Sequence, residues 1–456
     1  MIVMKFGGTS NEDAAAMRNV IRIVNAHLKL QPVVVISAIA RATNELEQIA
    51  RTASLGDEKQ ATELLESLIR RHLAIVRDLI TDTARKEFLE GVITGYRAAL
   101  SAQVSRLSTL RTPNARAMDT ICSFGERLSS RIVASAIEES GTRSLWVDVA
   151  DFMLTDDNFG RARPVMDRVQ QNLRTVMVPA IEGGVVPVTQ GFIGITGKGE
   201  YTTMGRESSD YSATIIGALL PAKKVQIWTD VDGILTADPR MVATVRKVRR
   251  MSFNEALHLS LAGAKVLHPT TMVPVIEKGI PVQILNSKRE QGTGTLVEMN
   301  SIPAKGIVKS VAHRRNMTLL GFSGSNGAYW SRVLPCLAGH GISPYLTTVS
   351  EEKAVILLEK AAVDASLLEE IKAHGEVTVW PDKSSITLVG EGVSGIIGTI
   401  SRAFSSEDLW MMSGPMTSTS LTFVIDTKQL EDVLLRLHRD FIEEVLDPEV
   451  FDPVAS

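Results

Sequence analysis

The sequence predicts an α/β protein in which a three-layer domain with a mostly parallel central sheet precedes two ferredoxin-like βαββαβ modules. Short apolar runs alternate with amphipathic helices over about the first 295 residues, and polar turns follow several of these runs. From about residue 305 the chain contains two weakly similar halves. Alternating strands and helices typically form a parallel sheet covered by helices on both faces, so the first region is predicted to be one large domain.

The predicted strands of the first region are continuous apolar runs, the pattern of strands buried on both faces. After the N-terminal strand they occupy residues 32–37, 144–148, 185–194, 224–230 and 281–286. Between them, residues 61–79 place apolar side chains at helical spacing and predict an amphipathic helix. Ligands of such sheets bind beyond the carboxyl ends of the strands, and the polar clusters of this chain follow its strands directly.

The N-terminal strand runs straight into Gly7, Gly8, Thr9 and Ser10 and carries Lys5 near its end. Glycines let backbone N–H groups approach anionic oxygens closely. Thr9 and Ser10 are predicted to cap the following helix, whose N-terminus attracts negative charge, and an exposed Lys5 adds a full positive charge. The segment predicts a polyphosphate-binding turn; the alternative is an ordinary strand–turn–helix connection with a solvated lysine.

Four further segments carry candidate chemistry. Glu126 lies in the first turn of a predicted helix, where a plain surface carboxylate favoured by the helix dipole is the alternative. Arg206 and Asp210 lie four residues apart where a loop becomes a helix. The Arg206 guanidinium is predicted to make bidentate hydrogen bonds to a ligand carboxylate, and the alternative is an ion pair with Asp210. Residues 228–240 place three aspartates and an arginine in a loop after a strand, more than turn chemistry requires. Lys265 lies near a helix end.

The C-terminal third contains a weak internal repeat. The sequence Thr-Leu-Leu-Gly at residues 318–321 recurs as Thr-Leu-Val-Gly at residues 387–390, and an apolar strand at 355–358 matches one at 422–425. Each half is predicted to form a β-α-β-β-α-β module. Chance similarity between two unrelated αβ segments is the alternative.

Composition excludes several classes of function. The 456 residues carry a net charge of −3, which provides no electrostatic footprint for nucleic acid or an anionic membrane. We find neither a run of about 20 apolar residues nor a signal peptide. The chain has only two cysteines, Cys122 and Cys336, so no framework of disulfide bonds is expected. This cysteine content fits a reducing compartment. The sequence therefore predicts a cytoplasmic protein with no nucleic-acid or membrane partner.

Taken together, six motifs in order resemble those of the aspartokinases, members of the amino-acid kinase family with tandem ACT regulatory domains. They are Lys-Phe-Gly-Gly-Thr-Ser at 5–10, Phe-Gly-Glu at 124–126, Thr-Gln-Gly-Phe-Ile-Gly at 189–194, the Gly-Arg and Ser-Asp-Tyr segments of 205–211, Trp-Thr-Asp-Val-Asp-Gly-Ile with Asp-Pro-Arg in 228–240, and Gly-Ala-Lys-Val-Leu-His-Pro at 263–269. The resemblance covers essentially the whole chain. It implies an amino-acid kinase catalytic domain at 1–295 and ACT-like domains at 305–380 and 381–456, with insertion of the second into the first as an alternative.

The resemblance also implies an activity. The family transfers the γ-phosphoryl group of ATP, with Mg²⁺, to the β-carboxylate of L-aspartate, giving 4-phospho-L-aspartate on the route to lysine, threonine, methionine and diaminopimelate. An aspartate side chain is already ionised at neutral pH, so this reaction needs positioning and positive charge rather than a general base. Paired ACT modules imply a homodimer or higher oligomer with an amino-acid feedback inhibitor, whose identity cannot be read from the sequence.

Carried onto this sequence, the family's pattern assigns roles to particular residues. Lys5 and Asp210 would be catalytic, Lys5 by stabilising the transferring group and Asp210 by orienting Lys5. The α-carboxylate of aspartate would bind Arg206 and its α-ammonium Glu126, with hydrogen bonds from Ser37, Thr43 and Ser209. The nucleotide site would comprise Lys5, Gly7, Gly8, Thr9, Ser10, Thr229, Asp230, Leu235, Arg240, Lys265 and Val266. No direct protein ligand to the metal is implied, because Mg²⁺ is expected to bind phosphate oxygens and water.

Two other readings of the sequence stay open. A different amino-acid kinase, acting on acetylglutamate, glutamate or a nucleotide, would use the same lysine–glycine turn, but the C-terminal repeat and the segment from Arg206 to Asp210 count against it. A non-catalytic amino-acid sensor would keep the fold and the ACT pair. Retention of Lys5, Asp210 and Glu126 argues against the sensor.

Overall fold

The computed structural model describes residues 1–205, 208–264, 267, 269–299, 306–323, 330–349, 353–404, 409–414, 419–445 and 447–452. The chain divides into two compact units, one of Met1–Ile234 with Leu267–Met299 and the other of Leu235–Val266 with Asn300–Ser456. The segment Leu235–Val266, which the predicted catalytic range 1–295 includes, therefore groups with the C-terminal part of the chain.

The described helices are α1 (Ala14–Ala26), α2 (Ala42–Ser54), α3 (Glu58–Leu79), α4 (Thr83–Leu110), α5 (Ala115–Cys122), α6 (Phe124–Glu139), α7 (Met166–Glu182), α8 (Ser208–Leu219), α9 (Phe253–Leu261), α10 (Pro269–Glu277), α11 (Trp330–Gly339), α12 (Ala365–Lys372), α13 (Ile397–Arg402) and α14 (Leu430–His438). The strands are β1 (Ile2–Phe6), β2 (Pro32–Ile36), β3 (Ser144–Trp146), β4 (Leu154–Thr155), β5 (Val186–Gln190), β6 (Ile193–Thr196), β7 (Tyr201–Thr203), β8 (Val225–Thr229), β9 (Arg250–Ser252), β10 (Val282–Asn286), β11 (Thr295–Glu298), β12 (Ser310–Ser323), β13 (Leu346–Val349), β14 (Lys353–Glu359), β15 (Glu376–Val389), β16 (Met411–Ser413) and β17 (Ser420–Asp426).

The first unit is built on a central sheet with the strand order β3-β5-β2-β1-β8-β10-β11. Neighbouring strands from β3 to β10 run parallel, and only the β10–β11 pair of this order is antiparallel. The predicted strands at 32–37, 144–148, 224–230 and 281–286 and the helix predicted at 61–79 are confirmed, with α3 beginning slightly earlier, at Glu58. The single strand predicted at 185–194 is wrong: it is interrupted at Phe192, which has a φ of 67°, so that β5 and β6 belong to different sheets. A small additional sheet, β4-β6-β7, follows the end of β5.

Alternation along β1 places its side chains on two different helical layers. Met4 and Phe6 belong to the apolar core that β1 and β2 share with α1, α2 and α6. Val3 faces α8, since a Cβ added at Gly217 of that helix would lie 3.8 Å from the Val3 side chain. Side chains two apart on a strand share a face, so Lys5 emerges beside α8. The predicted three-layer arrangement is thus confirmed, and it puts Lys5 next to the helix that carries Asp210.

The turn after β1 differs from its prediction in one respect. Gly8–Asn11 form a short 3-10 turn without a side-chain cap, and α1 begins only at Ala14. Asp13 caps α1 by accepting a hydrogen bond from the Ala16 backbone N–H at 2.8 Å. The prediction that Thr9 and Ser10 cap this helix is wrong, because the 3-10 turn displaces the helix start by one turn.

In the second unit, the described strands of the C-terminal region form one sheet with the order β13-β14-β12-β15-β17-β16. Each of the two central strands, β12 and β15, has 14 residues and takes part in both halves of the sheet. The ladder shifts register between Arg314 and Met317, where Asn316 has a positive φ of 59°, and Asp382 on β15 has a φ of 54°. The predicted boundary at 380 and 381 falls inside β15, because the two modules share these strands.

Among the described residues, no helix has the length and apolar character needed to cross a membrane. Both Cys122 and Cys336 are free and buried.

Candidate active site

Lys5 and Asp210 form an ion pair at the carboxyl end of β1. The Lys5 Nζ lies 2.6 Å from Oδ1 of Asp210, and the two side chains are only 12% and 15% exposed. Asp210 lies in the first turn of α8, where the helix dipole stabilises its negative charge. The expectation of an exposed Lys5 is therefore wrong: the ammonium is largely enclosed and is held in one direction by its partner.

Gly7 and Gly8 form the turn that follows β1, and Gly7 lies beside that ammonium. The Gly7 N–H donates to the Trp228 carbonyl at 2.9 Å, which fixes the turn to the end of β8. A Cβ on Gly7 would lie 3.5 Å from the Trp228 carbonyl oxygen and 3.7 Å from Lys5 Nζ, while a Cβ on Gly8 would be crowded at 3.1 Å from the Ala38 carbonyl oxygen. This combination of bare backbone and one enclosed cation suits an anionic ligand.

A cleft of 320 Å³ opens next to this turn. Its walls come from the end of β1, the connection from β2 into α2, the first turn of α6, the turn after β5 and the start of α8. It is lined by Gly8, Ser37, Ala38, Ile39, Ala40, Arg41, Thr43, Asn44, Glu47, Glu126, Phe192, Ser208 and Ser209. Four of the five residues predicted for the amino-acid substrate, namely Ser37, Thr43, Glu126 and Ser209, are thus brought together.

Glu126 is the charged group with the most unusual environment in the cleft. It is 3% exposed, and its Oε1 accepts one hydrogen bond, from the Ala38 backbone N–H at 3.2 Å. Its Oε2 is buried and has no hydrogen-bond partner. Burial raises the pKa of Glu126 from 4.5 to about 8, against smaller opposing effects from the Ala38 hydrogen bond and Lys5. A buried acceptor without a partner is costly, so this oxygen is suited to a ligand that brings positive charge.

Two residues of the cleft wall have strained backbones. Arg41 precedes α2 with a φ of 68°, and Phe192 follows β5 with a φ of 67°. Positive φ is uncommon for residues with bulky side chains, and such strain concentrates at binding and catalytic sites. The Phe192 conformation is held by its carbonyl, which accepts from Met204 N at 3.0 Å, and by its N–H, which donates to the Ser212 hydroxyl at 3.0 Å.

The turns after β8 and β10 meet the turn after β1. Ser10 is buried, and its hydroxyl donates to Ser287 Oγ at 2.8 Å and reaches the Trp228 carbonyl at 3.3 Å. Thr229 and the exposed Asp230 lie at the end of β8, where the Thr229 carbonyl accepts from the Ser287 N–H at 2.8 Å. Ser10 therefore ties the three strand ends together, and Thr9 beside it is half-buried.

The other residues predicted for the nucleotide are placed differently. Leu235 and Arg240 belong to the second unit. The Arg240 side chain is 87% exposed and donates to both carboxylate oxygens of Asp238, with Nη2 at 2.6 Å from Oδ2. This pairing lowers the pKa of Asp238. Arg206, Lys265 and Val266 lie outside the described residues.

The residues present fit a polyphosphate better than a metal held by the protein. Within the described ranges, no three His, Cys, Asp or Glu side chains lie together as a metal site. Asp210, at the start of α8, is already paired with Lys5 at 2.6 Å. Divalent magnesium prefers phosphate oxygens and water in nucleotide sites, so a magnesium–nucleotide complex is the form that these residues can accept.

Comparison with known proteins decides the family. Residues 1–286 match the sequence model of the amino acid kinase family. The chain belongs to the amino-acid kinase family. Lysine-sensitive aspartokinase 3 of Escherichia coli strain K12 is 32% identical to this kinase over 460 aligned residues, covering 97% of this chain and 99% of that protein.

Solved structures agree with this assignment. E. coli aspartokinase III in complex with aspartate and ADP (R-state) matches the kinase with a TM-score of 0.81 and 30% identity, over 97% of this chain and 100% of that one. The structure of E. coli aspartokinase III with lysine and aspartate (T-state) matches with the same TM-score and coverage and 31% identity. The predicted fold class and the resemblance to the aspartokinases are confirmed.

Sequence reasoning missed several residues that shape the site of this kinase. Phe192 lines the cleft with a strained backbone, and Ser287 joins the strand ends through Ser10. Asp119 is buried in α5 and was not recognised. Phe192 stands within a motif that carried the resemblance, and its position between a strand end and a glycine-rich turn was a usable signal. Nothing local marks Asp119, because its partners lie more than 40 residues away.

Proposed function

We propose that the kinase phosphorylates L-aspartate on its β-carboxylate, with MgATP as donor and 4-phospho-L-aspartate as product. The observation that carries this proposal is the unpartnered Oε2 of Glu126, buried in a cleft that adjoins the Lys5–Asp210 pair. An amino-acid substrate supplies the α-ammonium that this oxygen lacks. The likeness to E. coli aspartokinase III in complex with aspartate and ADP supports the same substrate and a nucleotide donor.

The cleft geometry supports a division of roles around aspartate. Glu126 binds the α-ammonium, and Ser37, Thr43 and Ser209 donate or accept hydrogen bonds at the cleft wall. Arg206 holds the α-carboxylate through a bidentate contact of the kind that guanidinium groups favour. The β-carboxylate is then the one anionic group left free to react.

On the phosphate side, catalysis comes from fixed positive charge. Two anions must approach each other, so a preorganised cation where charge develops lowers the barrier. Lys5 supplies that cation, Asp210 holds it in position at 2.6 Å, and the absence of a side chain at Gly7 keeps the backbone low beside Lys5 Nζ. Magnesium neutralises phosphate charge when MgATP is bound.

The remaining nucleotide contacts follow from the same assignment. Thr9, Ser10, Thr229 and Asp230 lie in or beside the turns at the ends of β1 and β8, on the side expected for a ligand of a parallel sheet. The resemblance to the aspartokinases also assigns Leu235, Arg240, Lys265 and Val266 to the nucleotide. Arg240 has to leave Asp238 or bind ATP with its remaining donors, and either event is compatible with its 87% exposure.

The C-terminal region supports a proposal on regulation and assembly. We infer two ACT-like domains within residues 305–456, with at least one amino-acid end product bound there as an inhibitor. The likeness to E. coli aspartokinase III with lysine and aspartate in a T-state supports such a site. Open sheet edges need to be covered, so we also infer a homodimer or higher oligomer formed through residues 305–450. We also infer that the kinase is cytoplasmic.

A substrate panel tests the proposed activity. Purified full-length kinase is assayed for ADP release with MgATP and, in separate reactions, L-aspartate, L-glutamate, N-acetyl-L-glutamate, a nucleoside monophosphate or no acceptor. We expect release that depends on aspartate and is at least tenfold slower with each other acceptor, the scale that pocket discrimination reaches. Release with another acceptor instead would favour a different amino-acid kinase, and none with any acceptor would favour the non-catalytic sensor.

A further inference from the structure

Asp119 is a fully buried carboxylate that joins separate parts of the first unit. It lies in α5 and is 2% exposed. Its Oδ2 accepts from the backbone N–H groups of Gly160 at 2.7 Å and Thr203 at 2.8 Å, and its Oδ1 accepts from the Thr203 hydroxyl at 2.8 Å. A buried carboxylate is tolerated only when such hydrogen bonds compensate its lost hydration. Asp119 therefore fixes β7 and the turn at Gly160 against α5.

One side of this junction leads to a wall of the cleft. Thr203 ends β7, and the next residue, Met204, donates its N–H to the Phe192 carbonyl at 3.0 Å. The Ser208 hydroxyl donates to the Gly205 carbonyl at 2.6 Å and lies 3.4 Å from the Phe192 carbonyl. Phe192 and Ser208 both line the cleft. A shift of β7 would therefore move this wall directly.

The other side of the junction leads to Glu126. The Asp119 carbonyl accepts from the Ser123 N–H at 2.9 Å, and Ser123 is the one residue between α5 and α6. Glu126 lies in the first turn of α6. Asp119 is thus connected by short backbone links to both walls of the cleft. One link leads to the helix start that carries Glu126, and the other to the strand that supports Phe192 and Ser208.

We propose that Asp119 is a positioning residue for the amino-acid substrate: it sets the separation of the Glu126 wall from the Phe192–Ser208 wall of the cleft without touching the substrate. This inference rests on the proposed aspartate kinase activity. Hydrogen bonding rather than charge carries the effect, because an asparagine side chain can still accept the two backbone N–H groups through its oxygen and donate to the Thr203 hydroxyl oxygen through its nitrogen.

Three variants of the full chain test this role. Asp119→Ala removes all three hydrogen bonds, Asp119→Asn keeps the two from backbone N–H groups and reverses the direction of the third without the charge, and Thr203→Val removes the one hydroxyl bond. The matched control is Thr155→Val, which breaks the buried 2.7 Å contact between the Thr155 and Thr202 hydroxyls in the same small sheet without involving α5. KM for aspartate, KM for ATP and kcat are measured for each, with circular dichroism to verify folding.

For Asp119→Ala we expect kcat/KM for aspartate to fall by up to about a hundredfold, the loss that a misplacement near 1 Å can cause, mainly through a rise in KM for aspartate, while KM for ATP stays close to the wild-type value. Asp119→Asn should recover most of the wild-type KM, and Thr155→Val should match the wild type. If Asp119→Ala does not fold, the test relies on Thr203→Val. For that variant we expect a smaller rise in KM for aspartate and no change in KM for ATP.

Two outcomes overturn the inference while the wild type remains active on aspartate. One is an unchanged KM for aspartate in the folded alanine or valine variant, and the other is an equal rise in both KM values, which a general loss of structure would give. A wild type without aspartate-dependent ADP release overturns the proposed function instead, and this inference with it.

Discussion

Glu126 shows how burial of a single residue turns an ordinary side chain into a binding group. Its carboxyl is enclosed by α6 and the end of β2, and burial raises its pKa to about 8. In the unliganded folded protein Glu126 is therefore protonated at neutral pH. In the unfolded chain, where its pKa is about 4.5, the same side chain is ionised. The free energy of unfolding should consequently fall as the pH rises from about 4.5 towards about 8.

Aspartate binding is predicted to expel that proton. The α-ammonium of the substrate favours the charged form of Glu126, so about one proton per aspartate should be released at pH 7. Titration calorimetry in buffers of different ionisation enthalpy measures this number. Glu126→Gln should bind aspartate weakly and without proton release, whereas Glu90→Gln, in an exposed pair with Arg77, should behave as the wild type. Binding to the wild type without proton release would remove Glu126 from the ammonium site.

Arg206 and Glu126 are predicted to act on aspartate rather than on ATP. Removal of one partner of a desolvated charge pair costs about 2–5 kcal/mol of binding. Steady-state kinetics of Arg206→Ala and Glu126→Ala should therefore show a large rise in KM for aspartate and little change in KM for ATP. The reverse pattern would assign both residues to the nucleotide.

At the scale of elements, helix α9 is tied to the C-terminal sheet by a buried ion pair. Ser252 and Glu255 form a capping box at its N-terminus, and Glu255 Oε2 lies 2.9 Å from Lys309 Nζ, with side-chain exposures of 0% and 2%. Glu255 Oε1 also accepts from the Glu391 backbone N–H at 2.9 Å. At its other end, the Leu261 carbonyl accepts from the Arg314 guanidinium at 2.9 Å. The N-terminal end of α9 is thus fixed to Lys309, just before β12, and its C-terminal end to Arg314 in β12.

Loss of Lys309 is predicted to destabilise this unit strongly. Removing one partner of a buried pair leaves an uncompensated charge and costs about 3–5 kcal/mol, which urea unfolding of Lys309→Met should report. The control Lys360→Met breaks an exposed pair with Asp382 and should cost less than about 1 kcal/mol. Equal effects of the two substitutions would contradict the importance of the buried pair.

The elements also show what the sequence can and cannot predict. The apolar runs and the helical spacing of residues 61–79 suffice for the central sheet and α3, because burial on both faces leaves a local signature. The site residues around Glu126 were predictable only through the resemblance, since their meeting depends on strand order. The sharing of β12 and β15 by both modules depends on pairing between residues about 50 to 80 apart and on positive φ angles at Asn316 and Asp382, which no local pattern encodes.

At the scale of the whole molecule, we predict a homodimer that an amino-acid end product stabilises. Ligand binding to the folded state raises its apparent stability, and an inhibitor that favours a low-activity state couples to the active site by about 1–3 kcal/mol. Light scattering of the full chain gives the mass, and thermal shift with lysine, threonine, methionine and diaminopimelate identifies the ligand. A monomer that none of the four amino acids stabilises or inhibits would contradict both parts.

The central claim is that Lys5 promotes phosphoryl transfer to a carboxylate, and trapping of the acyl phosphate tests it most directly. Hydroxylamine converts an acyl phosphate into a hydroxamate, which is quantified beside ADP for the wild type, Lys5→Ala and the exposed control Lys29→Ala. We predict equal amounts of aspartyl hydroxamate and ADP from the wild type and the control. The folded Lys5→Ala variant should be slower by about 10²–10³, as expected when a preorganised charge is lost. ADP formed without hydroxamate, or a Lys5→Ala variant as fast as the wild type, would contradict the account.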